Sequence, residues 1–143
     1  MHVDNMNKKA IKIISILFVL IMLMTLLTAC NAQTYKHRLE DKGYIVYYIE
    51  IDQDSIKELG SLGAQLRRYG LSVDDVKWVI VGAYQSSQNE GQITIYHFKN
   101  KASANTFYTK YKEEIVEKDI VIEIDKQDVF YGNEKGINDA RNK

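Results

Sequence analysis

Proline is absent from this chain of 143 residues, cysteine occurs once, histidine three times, and 19 acidic residues cancel 19 basic ones. One cysteine rules out an internal disulfide, so any folded domain here is held by its apolar core. Three scattered histidines and one cysteine supply neither Cys-x-x-Cys nor His-x-x-x-His, the spacings that assemble a zinc or iron site. Balanced charge excludes the basic face by which nucleic acid is bound. No Gly-x-Ser-x-Gly elbow and no glycine-rich strand-to-helix turn is present, so no cofactor is implied. Gly60-Ser61-Leu62-Gly63 falls within an expected helix, the wrong context for a phosphate cradle. The acidic pairs Asp74-Asp75 and Glu113-Glu114 are adjacent in sequence and read as solvated surface, and residues 119–128 lack the spaced ligands of a calcium loop.

What the chain does have is a greasy start. Lys8, Lys9 and Lys12 precede Ile13 to Leu27, where only Ser15 and Thr25 interrupt the apolar run. A basic n-region, a short apolar core and a small-residue processing site make a secretory leader. The run is shorter than the roughly 20 residues that span a bilayer comfortably. Met6-Asn7-Lys8-Lys9 opens such a leader better than Met1 does, and Met6 is the alternative start.

Leu27-Thr28-Ala29-Cys30 follows directly and resembles the lipobox of bacterial lipoproteins: Leu, a small or hydroxylated residue, Ala or Gly, then Cys. The resemblance implies cleavage between Ala29 and Cys30, with a diacylglyceryl group on the Cys30 thiol. It implies a bacterial cell membrane location, lipid-anchored and facing away from the cytoplasm. Each buried methylene adds about 0.8 kcal/mol of membrane affinity, so two acyl chains hold where one does not. The residues then divide as leader 1–29, lipidated tether 30–42 and a small domain 43–143. With Lys8, Lys9, Lys12 and Asp4 gone, the charged residues fall to 16 basic and 18 acidic over 114 residues, one domain's worth of chain.

Alternation and turn chemistry predict the elements of that domain. Gly43 to Ile51 is a strand rich in aromatic and β-branched residues, with Tyr44 and Tyr48 on one face. Ser55-Ile56-Lys57-Glu58 has the form of a capping box opening a helix that Gly70 ends. Val76 to Gln85 and Gln92 to Lys99 form a hairpin around Ser86–Gly91. Asn100 caps a helix to about Val116 with Ala104, Phe107, Tyr108, Tyr111 and Ile115 as its apolar stripe. Ile120 to Ile124 is a strand, Val129 to Tyr131 a small fifth one, and Gly136 to Arg141 a short final helix. Strand-helix-strand-strand-helix-strand predicts an α+β fold of ferredoxin-like split βαβ type, an antiparallel sheet with helices on one face, the alternative being a different α+β sandwich with the same elements in another strand order. Residues 92–133 look like small uncharacterised lipoproteins of low-GC Gram-positive bacteria, a resemblance that implies fold and location but no catalytic residues.

All ten tyrosines lie beyond Cys30. In the expected sheet the first strand is central, leaving Tyr44, Tyr48, Trp78 and Tyr84 on an open aromatic face. Such a platform would contact a protein, peptide or glycan, or a second copy of the chain. The functional expectation is thus a non-enzymatic, lipid-anchored binding or accessory module. The alternative is a small cell-envelope enzyme using His97, which alternates with Ile93 and Ile95 on its strand.

Overall fold

A computed structural model describes the backbone of residues 2–52, 55, 60–84 and 91–143, and every side chain among them except those of 2–7 and 23–30. Residues 86–90 of the expected hairpin loop Ser86–Gly91, residue 85 of the strand before it, and residues 56–59 at the start of the expected helix after the first strand lie outside the described residues. Two compact units divide at Thr34 and Tyr35. Helix α1, His2–Asp41, supplies the first unit and contributes its last turns, Tyr35 onward, to the second.

The second unit contains β1 (Tyr44–Glu50), α2 (Gly60–Arg68), a 3-10 turn (Val73–Asp75), β2 (Val76–Tyr84) and β3 (Gln92–Phe98). It continues with α3 (Lys101–Glu114), β4 (Val121–Asp125), β5 (Asp128–Gly132) and α4 (Glu134–Arg141). Local chemistry explains the boundaries. Asn100 accepts from the Ser103 amide to start α3, and Asn133 accepts from the Gly136 amide to start α4. Ser72 and Asp75 form a reciprocal capping box around the 3-10 turn. Ser55 pairs backward: its amide donates to Asp52 Oδ1 at 2.8 Å, and its Oγ accepts from the Asp52 amide at 2.9 Å.

The fold is α+β, with five antiparallel strands in the order β1-β2-β3-β5-β4. This is not the strand order of a ferredoxin-like split βαβ sheet, which puts the first strand in the interior. Here, among the described residues, β1 pairs only with β2 and forms an edge. The three strands β1, β2 and β3 run as a meander, and β5 rather than β4 lies beside β3. The connection from β1 to β2 runs through α2 and the 3-10 turn, and the alternation within each strand carries no information on which strand lies beside it.

Helices cover both faces. On one, Leu62 and Leu66 of α2 and Ala104 and Phe107 of α3 pack on Val79, Tyr96, Phe98, Ile122 and Val129 of the sheet. A bulge between Val76 and Trp78 turns Val76 into this same cluster while Trp78 points to the opposite face. That opposite face buries Ile80, Ile93, Ile95 and Phe130, together with Leu39 of α1 and Ile137 and Ala140 of α4. Both faces of β2 and β3 are therefore apolar, the condition of a strand buried on two sides.

Gly132 and Gly136 bring α4 against the start of β3. A Cβ on either would lie 2.0 Å or 2.4 Å, respectively, from the Gln92 carbonyl oxygen. Asn133 completes the joint: its amide donates to the Gln92 carbonyl, and its Oδ1 accepts from the Gln92 amide, both at 3.1 Å.

Candidate functional site

The expected processing site, Leu27-Thr28-Ala29-Cys30, lies on the helical backbone of α1, and its side chains fall outside the described residues. Upstream, Ile13, Ile14, Ile16, Leu17 and Phe18 are each 60% exposed or more. Among the described residues, no helix is long and apolar enough to cross a membrane. Residues 35–41, expected as part of a tether, instead belong to the folded domain: Leu39 is completely buried and Tyr35 packs edge-on against Phe130 at 5.5 Å.

This changes the aromatic platform. Tyr44, Tyr48, Trp78 and Tyr84 do share one face, as alternation predicts. That face is not open. Trp78 and Tyr44 are 3% and 4% exposed, Tyr84 is half-buried, and Tyr48 alone reaches 40%. The Tyr44 hydroxyl donates to Asp139 Oδ2 at 2.7 Å, and its ring meets Tyr84 edge-to-face at 5.1 Å. The expected binding face is a second core. Its cover comes from Tyr35–Asp41 and α4, two short segments with few apolar residues each.

Inside that core lies the most polar cluster of the domain. Asp128, 5% exposed, holds one carboxylate oxygen 2.5 Å from His97 Nδ1, and its other oxygen accepts from the Tyr35 hydroxyl at 2.8 Å. The His97 ring, 3% exposed, stacks flat on Trp78 with centroids 4.8 Å apart. Neighbouring strands explain the meeting, because the register sets His97 opposite both Trp78 and Asp128. Burial pushes the Tyr35 phenol above its ordinary value, and the Asp128 carboxylate beside it acts in the same direction.

A histidine oriented by an aspartate is half of a general-base arrangement. Here the imidazole lies within the core, flat on Trp78 and hydrogen-bonded to Asp128, so the buried carboxylate has its partner. Sequence reading identified His97 but not its partners, because Asp128 lies 31 residues away and Tyr35 sits in the presumed tether. The signal for Asp128 was an acid opening a strand otherwise apolar on both faces.

A second carboxylate organises the opposite end of this face. Asp139 accepts from the Tyr44 hydroxyl and pairs with Lys135 at 2.7 Å and Lys42 at 3.4 Å. Partial burial acts to raise its pKa, but the two ammonium groups and the Tyr44 hydroxyl outweigh burial and hold the group below the usual carboxylate range. Arg141 closes the α4 side by reaching Glu123 and Asp125 while lying over the Phe130 ring at 5.0 Å.

The sheet's other side bears a groove of about 250 Å³ between Tyr111, Tyr131, Glu114, Ile115, Val116 and Ile120. Glu114 is already committed, accepting from the Tyr69 hydroxyl at 2.7 Å and pairing with Arg68. Among the described residues, no three His, Cys, Asp or Glu side chains converge in a way that would hold a metal ion. No family model matches the chain, and neither the curated proteins nor the solved structures yield a match.

Proposed function

We propose that the chain is a bacterial lipoprotein: exported, cleaved before Cys30, and held by a diacylglyceryl group at the outer side of the cell membrane. The observation that carries this reading is Leu27-Thr28-Ala29-Cys30, placed directly after a basic n-region and an apolar run. The solvent-exposed apolar side chains from Ile11 to Met22 support it, since such a surface suits lipid or a secretion channel better than water. In this reading the domain is a non-enzymatic binding or accessory module for an extracytoplasmic protein, peptide or glycan. Its covered aromatic face serves stability, and contact falls to the exposed rim instead.

The test is metabolic labelling with a fatty-acid precursor in a bacterial host, followed by membrane fractionation. The unsubstituted chain should take up label and sediment with membranes. Cys30→Ser should lose the label, since the diacylglyceryl group is carried on the Cys30 sulfur through a thioether that serine does not form. Label that persists in Cys30→Ser, or that is missing from both chains, overturns the reading.

A further inference from the structure

We infer that the free edge of β1 is a self-association surface, where two copies of the chain join their sheets by antiparallel β1–β1 pairing centred on Tyr47. Among the described residues, the strand Tyr44-Ile45-Val46-Tyr47-Tyr48-Ile49-Glu50 pairs on one side only, with β2. Natural edge strands are protected by lysine, proline, a bulge or extreme shortness. This one has none of these over seven residues, and its register with β2 is unbroken. Its apolar side chains meet solvent: Tyr47 is 65% exposed, Ile45 and Tyr48 are 40% exposed, and Val46 and Ile49 are half-buried.

A second copy is the occupant because the strand is complementary to itself when reversed. Pairing Tyr47 with the partner's Tyr47 sets Ile45 opposite the partner's Ile49 and Val46 opposite the partner's Tyr48. Tyr44 then falls opposite the partner's Glu50. All seven residues find a partner. Ile45, Tyr47 and Ile49 of the two copies merge into one apolar stripe. Val46 and Tyr48 make the aromatic–β-branched cross-strand pair that stabilises sheets.

Charge selects the direction. Acidic groups, Glu50 and Asp52, stand at the C-terminal end of the strand, and Lys42, which also pairs with Asp139, stands at its N-terminal end with its side chain 37% exposed. Antiparallel pairing brings each acidic end to the other copy's lysine. Parallel pairing would set Glu50 beside Glu50, which is unfavourable. A foreign strand has no such requirement for reversed symmetry, so the symmetry itself favours the second copy.

The experiment uses the full-length chain in washed membranes, oxidised with a copper catalyst and run on a non-reducing gel. Tyr47→Cys should give a disulfide-linked dimer, because the two-fold axis places residue 47 against itself. Ile45→Cys alone should give none, and should link when mixed with Ile49→Cys. Tyr47→Lys, with its far-ultraviolet dichroism unchanged, should shift the detergent-solubilised protein from dimer to monomer in sedimentation. A folded Tyr47→Cys chain that stays unlinked and sediments as monomer overturns the inference. So does a link from Tyr47→Cys to a different protein. A disulfide dimer of the unsubstituted chain would mean that Cys30 keeps a free thiol, which would sink the lipidation reading and leave the edge pairing to stand on the Tyr47→Lys result.

Discussion

The two faces of the sheet are both closed by helices, yet they are closed by different physics. Towards α2 and α3 the contacts are almost wholly apolar: Phe107 touches Tyr69, Tyr96, Phe98 and Tyr111, with ring centroids 4.9–5.6 Å apart. Towards α4 and the end of α1, apolar residues share the space with Asp128, His97 and the Tyr44 hydroxyl, each hydrogen-bonded. The described side chains leave no buried polar atom without a partner. Burying apolar area tolerates small shifts, whereas a buried hydrogen bond does not. Both faces bury apolar residues, and the hydrogen bonds of the second also fix where the end of α1 and α4 sit.

That contrast ranks the expected effects of perturbation. Phe107→Ala should be the most damaging, costing about 3–5 kcal/mol, measured as a lower denaturant midpoint by circular dichroism. A loss below about 1 kcal/mol would mean that the Phe107 ring contributes little to that face.

Alkali comes next and tests both faces together. Burial is the first cause that raises the phenols of Tyr96 and Tyr111 on one face and of Tyr35 and Tyr44 on the other. Folded values above the unfolded value of about 10 mean that this stability is complete below pH about 10 and is lost as the pH rises through the folded values. Absorbance at 295 nm should show these phenols ionising late, together with unfolding. Simple early titration of all ten tyrosines would contradict the burial.

Tyr35→Phe separates the faces. Removing one hydroxyl leaves Asp128 Oδ2 short of a donor and should cost about 1–3 kcal/mol. The loss should appear in amide exchange of α1 residues 35–41 before that of α3. Smallest is Arg68→Ala, which breaks the Arg68–Glu114 pair between side chains 63% and 43% exposed. Exposed pairs of this kind contribute less than about 1 kcal/mol, and a larger change would show that α2 and α3 depend on charge after all.

The sequence made the elements legible and left the architecture hidden. Asn100, the alternation of Tyr44–Glu50 and the stripe through Ala104, Phe107 and Tyr111 identify their helix and strands, because these signals are local. Strand order depends on which edges meet, and no residue in β4 or β5 announces its neighbour. The covered face was misread for a specific reason. Residues 31–42 contain only Ala32, Tyr35 and Leu39 as apolar residues among polar ones, a pattern close to that of a solvated linker. One turn apart, Tyr35 and Leu39 are nonetheless enough to cover part of a sheet. Tyr44, Tyr48, Trp78 and Tyr84 share a face as alternation predicts, but alternation identifies a face and not what lies above it.

Closing one face of the sheet takes the segments nearest the two ends of the domain. The Tyr35–Asp128 bond joins residues 93 apart, and Arg38 donates to the carbonyl of Ala140, 102 residues away. At synthesis rates of roughly 5–20 residues per second, Arg141 follows Tyr35 by about 5–20 s. Throughout that interval the nascent chain lacks half of its second core and remains an open thread. Closure of that face is postponed to the last eight helical residues, Glu134–Arg141. A stop codon just before Glu134 would leave that interval without an end.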